Sequence, residues 1–299
     1  MKKIGNTDQI CSAVRSVITD GRASGVRIIT IANGKLNLVL SESNALDVLR
    51  LWHEGDNVGF VSKAGLYGPD NEDFRHSFPA GMVYTCGLDA IGGVPGHYPH
   101  GRLHRTPAEI IEFKVDEKGI KIVAVVKDAA LFGSNLVLTR TFEAKAFAEE
   151  FTITDRIENR AFQDEKYCLL YHINVGWPFV DEGAKIVGNF KRTIPRNDWA
   201  EKCKDKMLVV ESPVDKWEEN CFFHETTDGE LALENPKLGK RFTVKSNLKK
   251  FVQWKSRASG DYVIGLEPGT SWLDDKLTYS TLKPGKSATI KLSLKVNRL

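Results

Sequence analysis

The sequence predicts an all-β protein built as a large antiparallel β-sandwich. Three observations carry that expectation. Helical periodicity is scarce, and its one short candidate, Asp8 to Val17, is weak. Most apolar segments are short and rich in Val, Ile, Phe and Thr, residues that pack well on a pleated surface. Turn signals separate these segments, with no fixed period of the kind that marks a propeller or solenoid.

In chain order, strands are expected at Val26 to Ile31, Leu36 to Leu40 and Glu109 to Val115. Ile120 to Val126 follows across Asp116-Glu117-Lys118-Gly119, which reads as a hairpin with Gly119 at positive φ. Further strands are expected at Leu136 to Phe142, Ala148 to Glu158, Lys166 to Ile173, Gln253 to Lys255 and Tyr262 to Glu267. The last, Ala288 to Val296, puts Ile290, Leu292 and Leu294 on one face and Lys291, Ser293 and Lys295 on the other. No linker or low-complexity stretch divides the chain. One domain over residues 1–299 is therefore expected, with the first 25 or so residues as an N-terminal extension.

Composition narrows the function. The net charge is +3, from 42 basic and 39 acidic residues, and Lys-rich stretches such as Glu201 to Lys206 are interrupted by acids. That is a solvated surface, not the basic face of a nucleic-acid binder. No apolar run approaches the ~20 residues that span a bilayer, and Met1-Lys2-Lys3 leads into polar residues, not an apolar signal core. The five cysteines (Cys11, Cys86, Cys168, Cys203, Cys221) are odd in number, scattered and without a C-x-x-C pair. They suggest neither a disulfide framework nor a zinc–thiolate site, and the expected setting is reducing and cytoplasmic.

Chemistry-bearing residues concentrate in four places. The irregular stretch Gly65 to Pro107 carries His97, His100 and His104 within eight positions, together with Arg102. Long ordered connections of this kind are usually functional, and imidazole and guanidinium groups are good donors to sugar oxygens. Upstream, Phe74-Arg75-His76-Ser77-Phe78 sets Arg75 between aromatics, and Met82 to Asp89 reads as a strand running into a glycine-rich loop. Tyr171-His172-Ile173-Asn174 places an imidazole on an apolar strand, with Asn174 on the same face to orient it or to meet a ligand. Val263 to Thr270 ends a strand on Glu267, a costly residue if it faces inward without a partner or a function. Each has a plainer reading as well: a surface charge at Arg75, a satisfied core histidine at His172, an edge carboxylate at Glu267, a core residue at Trp254. Three histidines and Glu109 also suit a metal in the manner of a cupin, although the spacing lacks the usual H-x-H pair.

Three patterns occur in order along the chain. They are Thr-Cys-Gly-Leu-Asp (Thr85 to Asp89), His-Gly-Arg-x-x-x-Thr-Pro-Ala (His100 to Ala108) and Tyr-His-Ile-Asn-x-Gly (Tyr171 to Gly176). With Glu267 they resemble the aldose 1-epimerase (galactose mutarotase) superfamily, in a poorly characterised branch, over roughly residues 45 to 295. The resemblance implies a galactose mutarotase-like supersandwich and an enzyme that interconverts the anomers of a monosaccharide by acid–base ring opening, without a cofactor. It implies His172 as general acid and Glu267 as general base. His100 and Arg102 are implied as sugar contacts, with Arg75, Asn174 and Asp89 as further candidates. A counterpart of the additional sugar-binding aspartate of galactose mutarotases is missing, and two arginines near one site suggest an acidic sugar. Two other functions compete with this one, a non-catalytic carbohydrate-binding protein on the same fold and a metal-dependent, cupin-like sugar isomerase.

Overall fold

The computed structural model describes residues 3–68, 73–273 and 277–299. Five strands form a small antiparallel sheet in sequence order: β1 (Ser12–Val17), β2 (Arg27–Ala32), β3 (Leu36–Ser41), β4 (Asp47–His53) and β5 (Asp56–Asn57). Fourteen form a large one: β6 (Tyr84–Leu88), β7 (Glu109–Asp116), β8 (Gly119–Ala129), β9 (Asn135–Lys145), β10 (Glu150–Asn159), β11 (Glu165–His172), β12 (Asn174–Val175), β13 (Lys185–Pro195), β14 (Asn220–Asn235), β15 (Lys240–Ser246), β16 (Lys250–Ala258), β17 (Asp261–Gly269), β18 (Ser280–Leu282) and β19 (Ser287–Arg298). The main order is β18-β11-β17-β16-β14-β15-β19-β10-β9-β8-β7, with β6 on β11, β12 on β17 and β13 on β14. Short helices α1 (Phe74–Ser77) and α2 (Asp198–Lys202) lie in the connections. This is the antiparallel β architecture expected from the sequence.

The alternation of β19 holds: Ile290, Leu292 and Leu294 are buried while Lys291 and Lys295 are exposed. The β7–β8 hairpin closes at Asp116 and Gly119, and Gly119 has a φ of +146°. A Cβ there would collide with the Ala144 carbonyl of β9, so the position needs glycine. The weak helix candidate at Asp8 to Val17 is overturned. A 3-10 turn covers Thr7–Gln9, and β1 pairs with β2 from Ser12↔Ala32 to Val17↔Arg27. Ile10, Ala13, Val14 and Val17 do fall at helical spacing, but Val14 and Val17 stay exposed and pairing with β2 satisfies the backbone groups of the segment. The first 25 residues thus contribute an edge strand to the small sheet.

One core joins the two sheets. Ile29, Ile31 and Leu38 of the small sheet share it with Phe142, Phe151 and Leu292 of the large one. Within this apolar layer lies a buried polar cluster. Arg140, on β9, donates Nε and Nη2 to the two oxygens of Asp155 at 2.9 and 2.7 Å. Its Nη1 reaches Asp47 Oδ1 at 2.6 Å and the Ala45 carbonyl at 3.0 Å, and Nη2 also reaches Thr85 Oγ1 at 2.9 Å. Tyr171 donates its hydroxyl to Asp155, and the Asp47 carboxylate is shared with Thr85 and with His104 Nδ1. Burial pushes the Asp47 carboxyl up, but His104, Arg140 and Thr85 together outweigh it and leave it below the usual carboxylate value.

An ion cluster of this kind costs desolvation, so its removal as a unit need not destabilise, but deleting one member leaves the others uncompensated. Arg140→Met strands Asp47 and Asp155 in the core. It is expected to lower unfolding free energy in urea by about 3–5 kcal/mol, and a loss under about 1 kcal/mol would show that the cluster relaxes or floods with water.

Candidate active site

His172 is the last residue of β11 and is almost fully buried. Its tautomer follows from Asn174. The Asn174 amide nitrogen donates to the carbonyls of Gly81 (2.9 Å) and His172 (3.0 Å), which turns the amide oxygen toward the ring. His172 Nδ1 lies 2.6 Å from that oxygen and therefore donates to it. Nε2 is left to accept a proton in the neutral ring and to donate one in the charged ring. Burial, followed by the nearby His100, pulls the imidazole down to about 3, against the smaller lift from Asn174.

Glu267, on β17, is fully buried, and neither carboxylate oxygen has a hydrogen-bond partner among the described residues. Oε1 lies 3.3 Å from His172 Nδ1, whose proton is directed to Asn174. The carboxylate fits because residue 265, two positions earlier on the same face, is glycine, and a Cβ there would occupy the place of Oε1. Burial, followed by repulsion from Glu219, pushes Glu267 well above the usual range, with Arg196 pulling the other way. Without a ligand the site favours a protonated Glu267 beside a neutral His172. A buried acid of this kind is the state a functional carboxyl adopts when its partner is supplied by a ligand.

His100 comes from the connection after β6, at a φ of +64°. The Gly92 N–H points at its Nδ1 (3.4 Å), with Cys86 Sγ at 3.3 Å, so the neutral ring carries its proton on Nε2. Burial, then Arg196 and His104, lowers it to about 4. Asp89 and Arg102 hold this loop in place. Asp89 Oδ1 accepts the Arg102 N–H at 3.0 Å, and Oδ2 meets Arg102 Nη1 and His97 Nδ1 at 3.2 and 3.1 Å. The Arg102 guanidinium goes on to Asp128 at 3.1 Å. Gly101 permits the fold-back, since a Cβ there would lie 2.5 Å from the Ala90 carbonyl. Asp89 and Arg102, expected as sugar contacts, are thus occupied with each other away from the cleft, and Asn174 is spent on His172.

His172, Glu267, His100 and Arg75 open onto one cleft of about 790 Å³. Arg196, Glu219, Trp217, Trp254, Phe60 and Phe78 line it too. Trp254, expected in the core, stands edge-on to His172 with ring centres 5.2 Å apart and donates its indole N–H to Glu219. Arg196 and Glu219 escaped the sequence reading because nothing in their neighbourhoods separates them from ordinary surface charges. The β13–β14 register, with Pro195 opposite Phe222, delivers Arg196 to the site.

The three clustered histidines do not converge. His97 turns to Asp89, His104 to Asp47, and His100 to Gly92 and Cys86. The cupin-like reading therefore lacks its ligand set. Among the described residues one group is close enough to hold an ion, His53 with Glu54 and Glu149, but Lys35 and Arg298 already engage Glu54.

With this geometry in hand, comparison places the fold. The model of a family described as a domain of unknown function (DUF4432) matches residues 23–296. A candidate aldose 1-epimerase from Klebsiella pneumoniae superposes with a TM-score of 0.87 at 22% identity, over 96% of this chain and 88% of that one. A galactose mutarotase-like protein from Clostridium acetobutylicum gives 0.73 at 15% identity, over 97% and 100%. A candidate mutarotase from Salmonella typhimurium gives 0.71 at 12%, over 99% and 96%. At these identities the likeness is one of fold. No curated protein matches the chain.

The buried acid has a thermodynamic signature. Glu267 is raised in the folded chain, so its contribution to stability is present at low pH and is lost as pH rises above about 4.5. Glu267→Gln removes that loss. The variant should match wild type in urea unfolding near pH 4 and exceed it increasingly toward pH 8, and equal stability across that range would place a partner on the carboxylate.

Proposed function

We propose that this chain, which belongs to the DUF4432 family and has the mutarotase-like fold, is an isomerase of the aldose 1-epimerase type acting on a monosaccharide. The observation that carries this reading is Glu267. It is a fully buried carboxylate without a hydrogen-bond partner among the described residues, beside a histidine whose tautomer is set, at the wall of a cleft.

Anomer exchange needs a base for the anomeric hydroxyl and an acid for the ring oxygen. Glu267 as carboxylate takes the hydroxyl proton, and the C1–O1 bond gains double-bond character. The C1–ring-oxygen bond breaks, and its electron pair takes the proton that His172 delivers from Nε2. Rotation about C1–C2 exposes the other face of the carbonyl, and the reverse transfers close the ring as the other anomer. The active ion pair and the neutral pair favoured in the empty cleft hold the same number of protons. They differ only in where one proton sits. A hydroxyl donating to Glu267 favours its charged form, and with it a charged His172. His100 Nε2–H is placed to donate to a sugar oxygen, and Trp254 and Phe78 offer aromatic surface to the ring.

Each proton-transfer group is expected to contribute about 10²–10⁴-fold to the rate. Saturation-transfer NMR across a panel of reducing sugars should show accelerated anomer exchange by wild type, with His172→Ala and Glu267→Gln each losing that factor while remaining folded. Wild-type exchange rates in both variants would remove this mechanism, and sugar binding without exchange would leave a carbohydrate-binding protein.

A further inference from the structure

We infer that the sugar taken by this cleft carries an anionic substituent, a carboxylate or a phosphate, and that Arg196 selects it. This rests on the isomerase reading of the same cleft. Among the described residues the cleft holds three cations, Lys63, Arg75 and Arg196. Lys63 is matched by Asp261 at 2.6 Å. Among the described residues no carboxylate pairs with Arg196, whose side chain makes one hydrogen bond there, to Cys221 Sγ at 3.8 Å, and a thiol is a weak acceptor. Glu219 shares the cleft but accepts the Trp254 indole N–H at 2.7 Å, and it forms no ion pair with Arg196.

The root of Arg196 is fixed. It follows β13 directly, and its N–H donates to the Cys221 carbonyl at 3.1 Å. The guanidinium is therefore presented from a strand end, with its donors uncommitted. A planar fork of donors matches a carboxylate or phosphate bidentately, which a sugar hydroxyl cannot do. Its charge also reaches Glu267 and His100, lowering both. Arg75, on α1, is a second cation on the same wall. Arg102, by contrast, is consumed by Asp89 and Asp128 and adds nothing to the cleft.

The test uses the full chain and three sugar sets: glucose and galactose, glucuronate and galacturonate, and the two hexose 6-phosphates. Binding is read by calorimetry and exchange by NMR. Wild type should prefer an anionic set over the neutral one by about tenfold or more, and Arg196→Gln should cut that ratio by about ten- to a hundredfold, as for loss of a charged hydrogen bond. Preference for the uronates or for the phosphates identifies the source of the charge. Neutral sugars bound as well as anionic ones, or a ratio unchanged in Arg196→Gln, would overturn the inference while leaving the isomerase reading intact. Selective anion binding without anomer exchange would do the reverse.

Discussion

The Arg140 cluster is the constraint on which the rest depends. A fully buried guanidinium must spend its donors well, and this one does so on groups from three strands and a loop. Asp47 comes from the small sheet, whereas Asp155, Thr85 and Tyr171 come from the large one. The cluster therefore acts as a polar bolt through an apolar core, and hydrophobic packing alone would tolerate many small slips that this geometry does not. Two of the strands it grips, β6 and β11, lie side by side, and β11 ends at His172. Its His104 arm pins the far end of the loop that presents His100.

From that frame the site holds two groups whose titration is moved away from its ordinary range. Burial moves Glu267 and His172 in opposite directions, each toward its neutral form. This costs stability, and the fold accepts the cost through specific devices. Gly265 vacates the space beside the carboxylate, and Asn174, itself locked by two backbone carbonyls, fixes which imidazole nitrogen faces outward. A site tuned in this way is poised to respond to a ligand hydroxyl, because any partner for Glu267 relieves a buried and unsatisfied group.

The cleft divides its labour between rigid and variable parts. His172 and Glu267 stand toward the ends of neighbouring strands, where register fixes their position. The groups that would recognise a substrate, Arg75, Arg196, Trp217 and Glu219, come from the connections around them.

The sequence by itself determined the class of fold and, through its resemblance to the aldose 1-epimerases, singled out His172 and Glu267. Short β-branched runs with turns between them admit little else, whereas a histidine and a glutamate on apolar strands each also admit a plainer reading, as a core imidazole or an edge carboxylate. It also marked the His100 loop, because three histidines, an arginine and glycines in one irregular stretch need a purpose. Tertiary structure alone decided which of those polar groups face the ligand. Arg102 sits in the same motif as His100 and Asp89 in the one before it, yet both are consumed in holding the loop, and Arg196 arrives from 96 residues beyond His100. Local pattern reports burial and conformation, since both act on neighbours in the chain. Which buried donor finds its acceptor within the protein, and which is left for a ligand, depends on contacts between segments far apart in sequence, and only the folded chain sets those distances.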